Sequence, residues 1–417
     1  MAVRGKCIDE CGAFAFLCKV NYQSATLTAS NFFNDGNPPV TQYRLQQAFM
    51  STIENPALKE IFNAPQFRHI AEEAAAVCPA FDAERFLGLA LLGLDELSLM
   101  QRLRRTAQSL HAALPLDYRE AVAVLRLLPP RMQSKFATLA LPDFVGLYGL
   151  DDFDFSMEAL RFFTAFGSSE FAVRCFLRKD LHRALATMQV WSLDGDEHVR
   201  RLASEGCRPR LPWSFRLDAL MRDPSLTAPI LSRLMADPSL YVRKSVANHL
   251  NDITKDQPDW LLGQVQSWPM DNPRTAWITR HALRTLIKKG DPRALAAVGA
   301  AAEPKVRVTD FVVAPHHLTL GEQLNLSFTL TSELQVPQRL VVDYIVHYVK
   351  KSGAALPKVF KLKEFTLQPG ASVCIARSQT VRNFTTRVHY SGVHGVELVV
   401  NGRTLASASF YLEVTST

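Results

Sequence analysis

The sequence is poor in the features that would assign it quickly. It has no paired CxxC motif. Its seven cysteines (Cys7, Cys11, Cys18, Cys78, Cys175, Cys207 and Cys374) are scattered and odd in number. That argues against a disulfide framework and a structural zinc site, and it fits a reducing cytoplasm. No apolar run approaches the roughly 18–20 residues needed to span a bilayer. The short apolar stretch Gly12–Cys18 follows Asp9 and Glu10 and does not read as a signal peptide. Between about 55 and 300, strand-type alternation is nearly missing. Charged residues are not depleted, which excludes wholesale disorder.

What is present divides by region. With 417 residues the chain is long enough for two or three domains. The formal net charge is +7. Residues 50–157 carry 10 cationic against 14 acidic side chains. Residues 158–304 carry 21 against 16, and residues 305–417 carry 12 against 7. The positive potential therefore lies in the second half, where it suits a polyanion such as nucleic acid.

Residues 1–49 are rich in Asn, Ser, Thr and Gly and lack sustained periodicity. They read as a poorly ordered extension, with Met50 as the expected functional start. From about 55 to 300, apolar residues recur at three- and four-residue spacing, as in Leu87, Leu91, Leu94 and Leu97. Pro129-Pro130, Asp223-Pro224, Asp237-Pro238 and Gly290-Asp291-Pro292 mark turns. Val199-Arg200-Arg201, Val242-Arg243-Lys244 and Ile278-Thr279-Arg280 recur at spacings of 43 and 36 residues, each opening an amphipathic segment. Such a period predicts HEAT-like helical pairs stacked as an α-solenoid over 50–303. Near Glu303 the period changes to two. Leu324, Leu326, Phe328 and Leu330 alternate with polar residues, and Asn401-Gly402 marks a hairpin. Residues 304–417 are thus expected to form an immunoglobulin-like β-sandwich, although the usual Cys–Trp–Cys core is missing.

Chemistry is most concentrated in Arg200–Trp213, RRLASEGCRPRLPW. A helix opening near Glu197 should end at Gly206, read as a left-handed C-cap. Glu205 then lies in the last turn, where the helix dipole disfavours a carboxylate by roughly 0.3–1 kcal/mol. Asp252 is placed similarly at the end of the Val242–Leu250 helix. Glu170 follows Gly167-Ser168-Ser169 and is expected in a first helical turn, where acid is favoured. Arg208, Arg210 and Trp213 occupy a proline-containing loop. On composition alone, these residues also fit a surface ion-pair network on a non-catalytic HEAT scaffold that binds protein or DNA.

Four long motifs in order sharpen the reading: SSEFAVR at 168–174, EHVRRLASEGCRPRLPW at 197–213, SLYVRKSVANHLNDITKD at 239–256 and TRHALRTLIKKGDPRAL at 279–295. Over about Met50–Ala302 the chain resembles the AlkC family of DNA alkylation-repair glycosylases, in the subgroup with a C-terminal immunoglobulin-like domain. The resemblance implies excision of cationic N-alkylated bases, chiefly 3-methylcytosine and 3-methyladenine, from duplex DNA during base excision repair. It implies Glu170, Glu205 and Asp252 as the acidic residues around the lesion and Trp213 as the aromatic residue of the site. It also implies that Arg201 and Arg208 hold DNA and shape the pocket; Arg210, Arg243, Lys244, Arg280, Arg284 and Lys288 are further expected DNA contacts. Relatives of this type are thought to work on sugar and backbone without flipping the base. No cofactor and no metal is expected. The expected partner is alkylated double-stranded DNA, engaged by a monomer in the bacterial cytoplasm, at the nucleoid.

Overall fold

In a computed structural model the structure describes residues 57–384 and 387–414. The expectations for residues 1–49 and for Met50 as a start therefore lie outside the described residues. The chain divides into two compact units, one ending at Leu234 and the other beginning at Met235.

The first unit is helical: α1 Ala64–Val77, α2 Ala83–Leu91, α3 Leu99–Ala113, α4 Tyr118–Leu125, α5 Ala140–Tyr148, α6 Phe153–Phe163, α7 Val173–Lys179, α8 Leu181–Trp191, α9 Glu197–Glu205, α10 Asp218–Arg222 and α11 Ala228–Leu234. Short polar side chains open the helices by accepting otherwise orphaned amide protons. Asn63, Asp82, Asp180 and Asp196 each do so, and Asp117 with Glu120 forms a capping box before α4. Consecutive helices pack on one another, α8 against both α7 and α9. Their apolar faces close over Phe67, Phe86, Val122, Phe144, Leu160, Phe176, Met188 and Leu202, all buried.

One helical stretch is shorter than its spacing predicts. Helix α2 ends at Leu91, and Gly93 turns left-handed at φ 62°. Leu94 and Leu97 fall outside the helix, and Leu92 is 66% exposed. A glycine reaches that conformation without the Cβ clash other residues meet, so it ends the helix despite the continuing leucine pattern.

The second unit begins with α12 Leu240–Ile253, α13 Pro258–Val265, α14 Pro273–Ala282, α15 Arg284–Lys288 and α16 Pro292–Ala297, with α12 packed on α14. Eight strands follow: β1 Val306–Ala314, β2 His317–Thr319, β3 Gln323–Ser332, β4 Gln338–Val349, β5 Ala355–Leu367, β6 Ser372–Thr380, β7 Gly392–Val400 and β8 Arg403–Glu413. They form a three-stranded sheet, β1-β3-β6, and a five-stranded sheet, β2-β8-β7-β4-β5. Strand β3 buries alternate residues, and Leu326, Phe328 and Leu330 share one core with Val342, Tyr344, Leu398 and Phe410 of the other sheet. Two sheets around a common apolar layer make a sandwich.

The Asn401-Gly402 hairpin is present, with both residues at positive φ (47° and 78°). Its tip packs on the turn before α16 so closely that a Cβ on Gly402 would sit 2.3 Å from Gly290 Cα. Asn401 donates from Nδ2 to the Ala301 carbonyl at 2.7 Å and accepts from the Val341 amide at 2.7 Å. The hairpin thereby ties strand β4 to the chain leaving the last helix.

Candidate active site: a buried carboxylate and arginine cluster

Glu170, Arg201, Glu205 and Arg208 meet in the first unit, and all four are buried. The Arg201 guanidinium stands between the two carboxylates. Its Nη1 pairs with Glu170 Oε2, and its Nη2 lies 3.5 Å from Glu205 Oε1. Arg208 Nη1 donates to the same Glu205 oxygen at 2.6 Å. Ser168 Oγ accepts from Arg201 at 2.9 Å and donates to Glu170 at 2.9 Å, closing a ring of polar contacts. Two carboxylates and two guanidiniums cancel in formal charge, which is what permits their joint burial. Glu205 is the last residue of α9, and only 3% exposed. The dipole penalty at that position is thus offset by two arginines, one a turn before it and one in the loop after.

Two local expectations need correction. Glu170 is not in a first helical turn. It sits in the turn before α7, which starts at Val173, and it is held by Ser168 rather than by a helix dipole. Gly206 is not left-handed either: its φ is −64° and ψ −34°. Glycine is required there by space. A Cβ would lie 2.5 Å from Val173 Cγ1 and 3.1 Å from the Leu202 carbonyl. The left-handed residue of this segment is instead Trp213, at φ 62°. For a bulky side chain that conformation is strained, and such strain concentrates at functional positions.

Arg174, which in the sequence is only the last residue of SSEFAVR, organises the loop from Gly206 to Phe215. It is fully buried. Its Nη1 donates to the carbonyls of Gly206 at 3.0 Å and Arg208 at 2.6 Å, and its Nη2 to that of Phe215. Arg174 and Arg178 both lie over the Phe215 ring, at 5.4 and 4.4 Å. One rigid fork therefore fixes both ends of the loop that carries Arg208, Arg210 and half-buried Trp213. Ser168 was likewise visible only as part of a motif. Cys207 is chemically silent: burial pushes its thiol up to about 12, and its Sγ donates to the Ala203 carbonyl.

The remaining expected residues belong to the second unit. Asp252 lies in the last turn of α12, 2% exposed, with Lys255 Nζ 3.1 Å from its Oδ1. Arg243 donates to the carbonyls of Asp237 and Pro238 and stands 5.9 Å from the Trp277 ring. Lys244 is partly exposed beside it. Arg284 donates to the His281 carbonyl at 2.6 Å and to Asn248 Oδ1 at 3.0 Å. Arg280 lies 3.6 Å from Glu364 of β5, so part of its charge faces the sandwich. Lys288 is exposed on α15. Among the described residues, no group of three or more His, Cys, Asp or Glu side chains could hold a metal ion. No helix of the described residues is long and apolar enough to cross a membrane.

A helical-repeat scaffold with a buried carboxylate–arginine ring, followed by a two-sheet domain, defines a class. Residues 159–286 match the family described as DNA alkylation repair enzyme. Residues 307–414 match the family described as the C-terminal Ig-like domain of the uncharacterised protein YhaZ. The chain is 41% identical over 354 residues to the uncharacterized protein YhaZ of Bacillus subtilis (strain 168), covering 85% of this chain and 98% of that one. It is 57% identical to the Pseudomonas fluorescens alkylpurine DNA glycosylase AlkC, solved bound to DNA containing an abasic site analog. That similarity covers 86% of this chain and 100% of the other, with a TM-score of 0.83. The chain belongs to the AlkC-type family of DNA alkylation repair enzymes with a C-terminal Ig-like domain.

Proposed function

We propose that this protein is a DNA glycosylase that excises cationic N-alkylated bases, 3-methyladenine and 3-methylcytosine, from duplex DNA. The observation that carries the proposal is the buried Glu170–Arg201–Glu205–Arg208 ring beside the loop of Trp213. Burying two carboxylates with two guanidiniums adds little to stability, which favours a chemical role over that of a scaffold that only binds partners. In the proposal Asp252 joins Glu170 and Glu205 around the lesion. The helical domain is assigned to 50–303 and the Ig-like domain to 304–417, and a monomer acts on DNA in the cytoplasm.

An N3-alkylated base is positively charged, so its bond to the sugar is already weak. As the bond breaks, the departing base becomes neutral and positive charge develops on the deoxyribose, as in sugar hydrolysis. Fixed carboxylates near the anomeric carbon stabilise that charge and position the attacking water. A unit charge pair about 4 Å apart, at an effective dielectric near 20, interacts by about 4 kcal/mol. Realised only in the transition state, that amounts to roughly three decades in rate. The paired guanidiniums weaken this field but hold the carboxylates in place before substrate arrives. Trp213 packs on the sugar and excludes water. The arginines and lysines of the helical repeats meet backbone phosphates. Because the leaving base needs no proton, no acid catalyst is required.

The test is base release from methylated duplex DNA, with the free bases identified. Glu205→Gln is expected to lower single-turnover release by about 100- to 1,000-fold, the loss typical of one stabilising group, and to leave duplex affinity nearly unchanged. An unaltered rate in the folded variant refutes the assignment.

A further inference from the structure

The second unit contains a cavity of about 330 Å³ between its last helices and its five-stranded sheet. Trp277 and Arg280 of α14 and Lys288 of α15 line one side. Asp343 of β4 and Lys361 and Glu364 of β5 line the other. The volume is near the lower end of the roughly 300–1,000 Å³ typical of small-molecule sites.

Two buried groups here lack a hydrogen-bond partner. Asp343 is only 4% exposed, and among the described residues its carboxylate accepts no hydrogen bond, its charged neighbours being Lys288, Lys361 and Glu364. The Arg280 Nε–H is buried without a hydrogen-bond partner, and the nearest carboxylate, Glu364, stands 3.6 Å away. Glu364 is already engaged at 2.7 Å by Lys361. Lys288 is exposed, and its charge, with that of Lys361, acts favourably on the Asp343 carboxylate. Trp277 lines the cavity, its ring stacked on His281 with centroids 5.0 Å apart and 9° between the planes. The Arg280 Nε–H without a hydrogen bond, the exposed Lys288 ammonium, the Asp343 carboxylate and the Trp277 ring thus surround a single space.

Cationic donors call for an anionic group. A lone carboxylate calls for N–H donors, and two adjacent donors satisfy both of its oxygens. An aromatic wall suits a planar heterocycle. A guanine nucleotide combines all three, whereas adenine places a ring acceptor beside its amino donor. We infer that this cavity is a second binding site, for a guanine nucleotide unit, with its phosphate on Arg280 and Lys288 and its base edge on Asp343. The unit comes either from a free nucleotide or from a DNA strand. Only the second source rests on the repair function proposed above.

Calorimetric titration of the full-length protein tests this with guanosine 5′-monophosphate, adenosine 5′-monophosphate and inorganic phosphate as probes. The guanine nucleotide is expected to saturate one site and to bind at least about tenfold more tightly than the adenine nucleotide. Asp343→Asn is expected to erase that preference, because an amide cannot accept with both atoms. Lys288→Gln, on the surface, is expected to weaken both nucleotides about equally. A guanine-containing single strand that displaces the mononucleotide points to DNA as the source, and one that does not points to a free nucleotide. Absent binding, equal affinity for the two nucleotides, or an unchanged preference in a folded Asp343→Asn variant overturns the inference. Because these titrations do not depend on base release, neither failure mimics the other.

Discussion

Arg174 shows how one residue can organise the loop of the candidate site through backbone carbonyls alone. Its fork holds the carbonyls of Gly206, Arg208 and Phe215, so the position of Trp213 depends on it. A misplacement of about 1 Å in a positioned group can cost on the order of 100-fold in rate. Arg174→Lys retains the charge but not the planar fork. It is expected to lower kcat for base release by about 10- to 100-fold with a smaller change in KM. The intrinsic Trp fluorescence should report a rearranged loop. Equal losses in kcat/KM and in folded fraction, with kcat of the folded enzyme intact, would make Arg174 a purely structural residue.

Helix α9 is the element on which the site depends, and its tight packing is testable at Gly206. The Val173 methyl of α7 occupies the space a Cβ would need. Gly206→Ala should therefore cost about 1–3 kcal/mol, as overpacking does, and lower Tm accordingly. Pairing it with Val173→Ala is expected to recover part of the loss, read by thermal unfolding of both variants. Strand β4 carries a different kind of cost. Burial pushes the Asp343 carboxyl up to about 6, with Glu364 adding to the shift and Lys288 and Lys361 opposing it. The folded state thus holds the proton more tightly than the unfolded chain does. The associated stability is full below the unfolded value near 4 and is lost as pH rises through about 6. Asp343→Asn should leave Tm unchanged near pH 4 and raise it at pH 8, by about 2–3 kcal/mol in stability. A variant no more stable than the parent at pH 8 contradicts this.

At the scale of the molecule, the second unit joins helices and sandwich through specific contacts rather than a loose tether. Gly290 meets Gly402, Asn401 binds the Ala301 carbonyl, and Glu364 faces Arg280. Truncation after residue 303 is therefore expected to destabilise α14–α16, seen as lost amide protection in that segment by hydrogen exchange. Unchanged protection would show that the helices stand without the sandwich.

The sequence by itself determined the order of the architecture: helices by the three- and four-residue spacing, strands by the alternation of Leu324 to Leu330, and the hairpin by Asn401-Gly402. These are local signals, written in contiguous residues, and they survive folding because periodicity selects the face that is buried. It also marked Glu205 as misplaced for its helix dipole, and family motifs supplied the remaining candidates. Tertiary structure alone decided what lies between residues distant in the chain. It seated Arg201 between Glu170 and Glu205, turned Arg174 into the support of a loop more than thirty residues away, and made Gly206 necessary through Val173 rather than through its own φ. It buried Asp343 on strand β4 with no hydrogen bond to its carboxylate. Long polar side chains acquire their partners only when separate elements pack. A guanidinium spans several residues of space in any direction, so no sequence spacing announces which carboxylate or carbonyl it will meet.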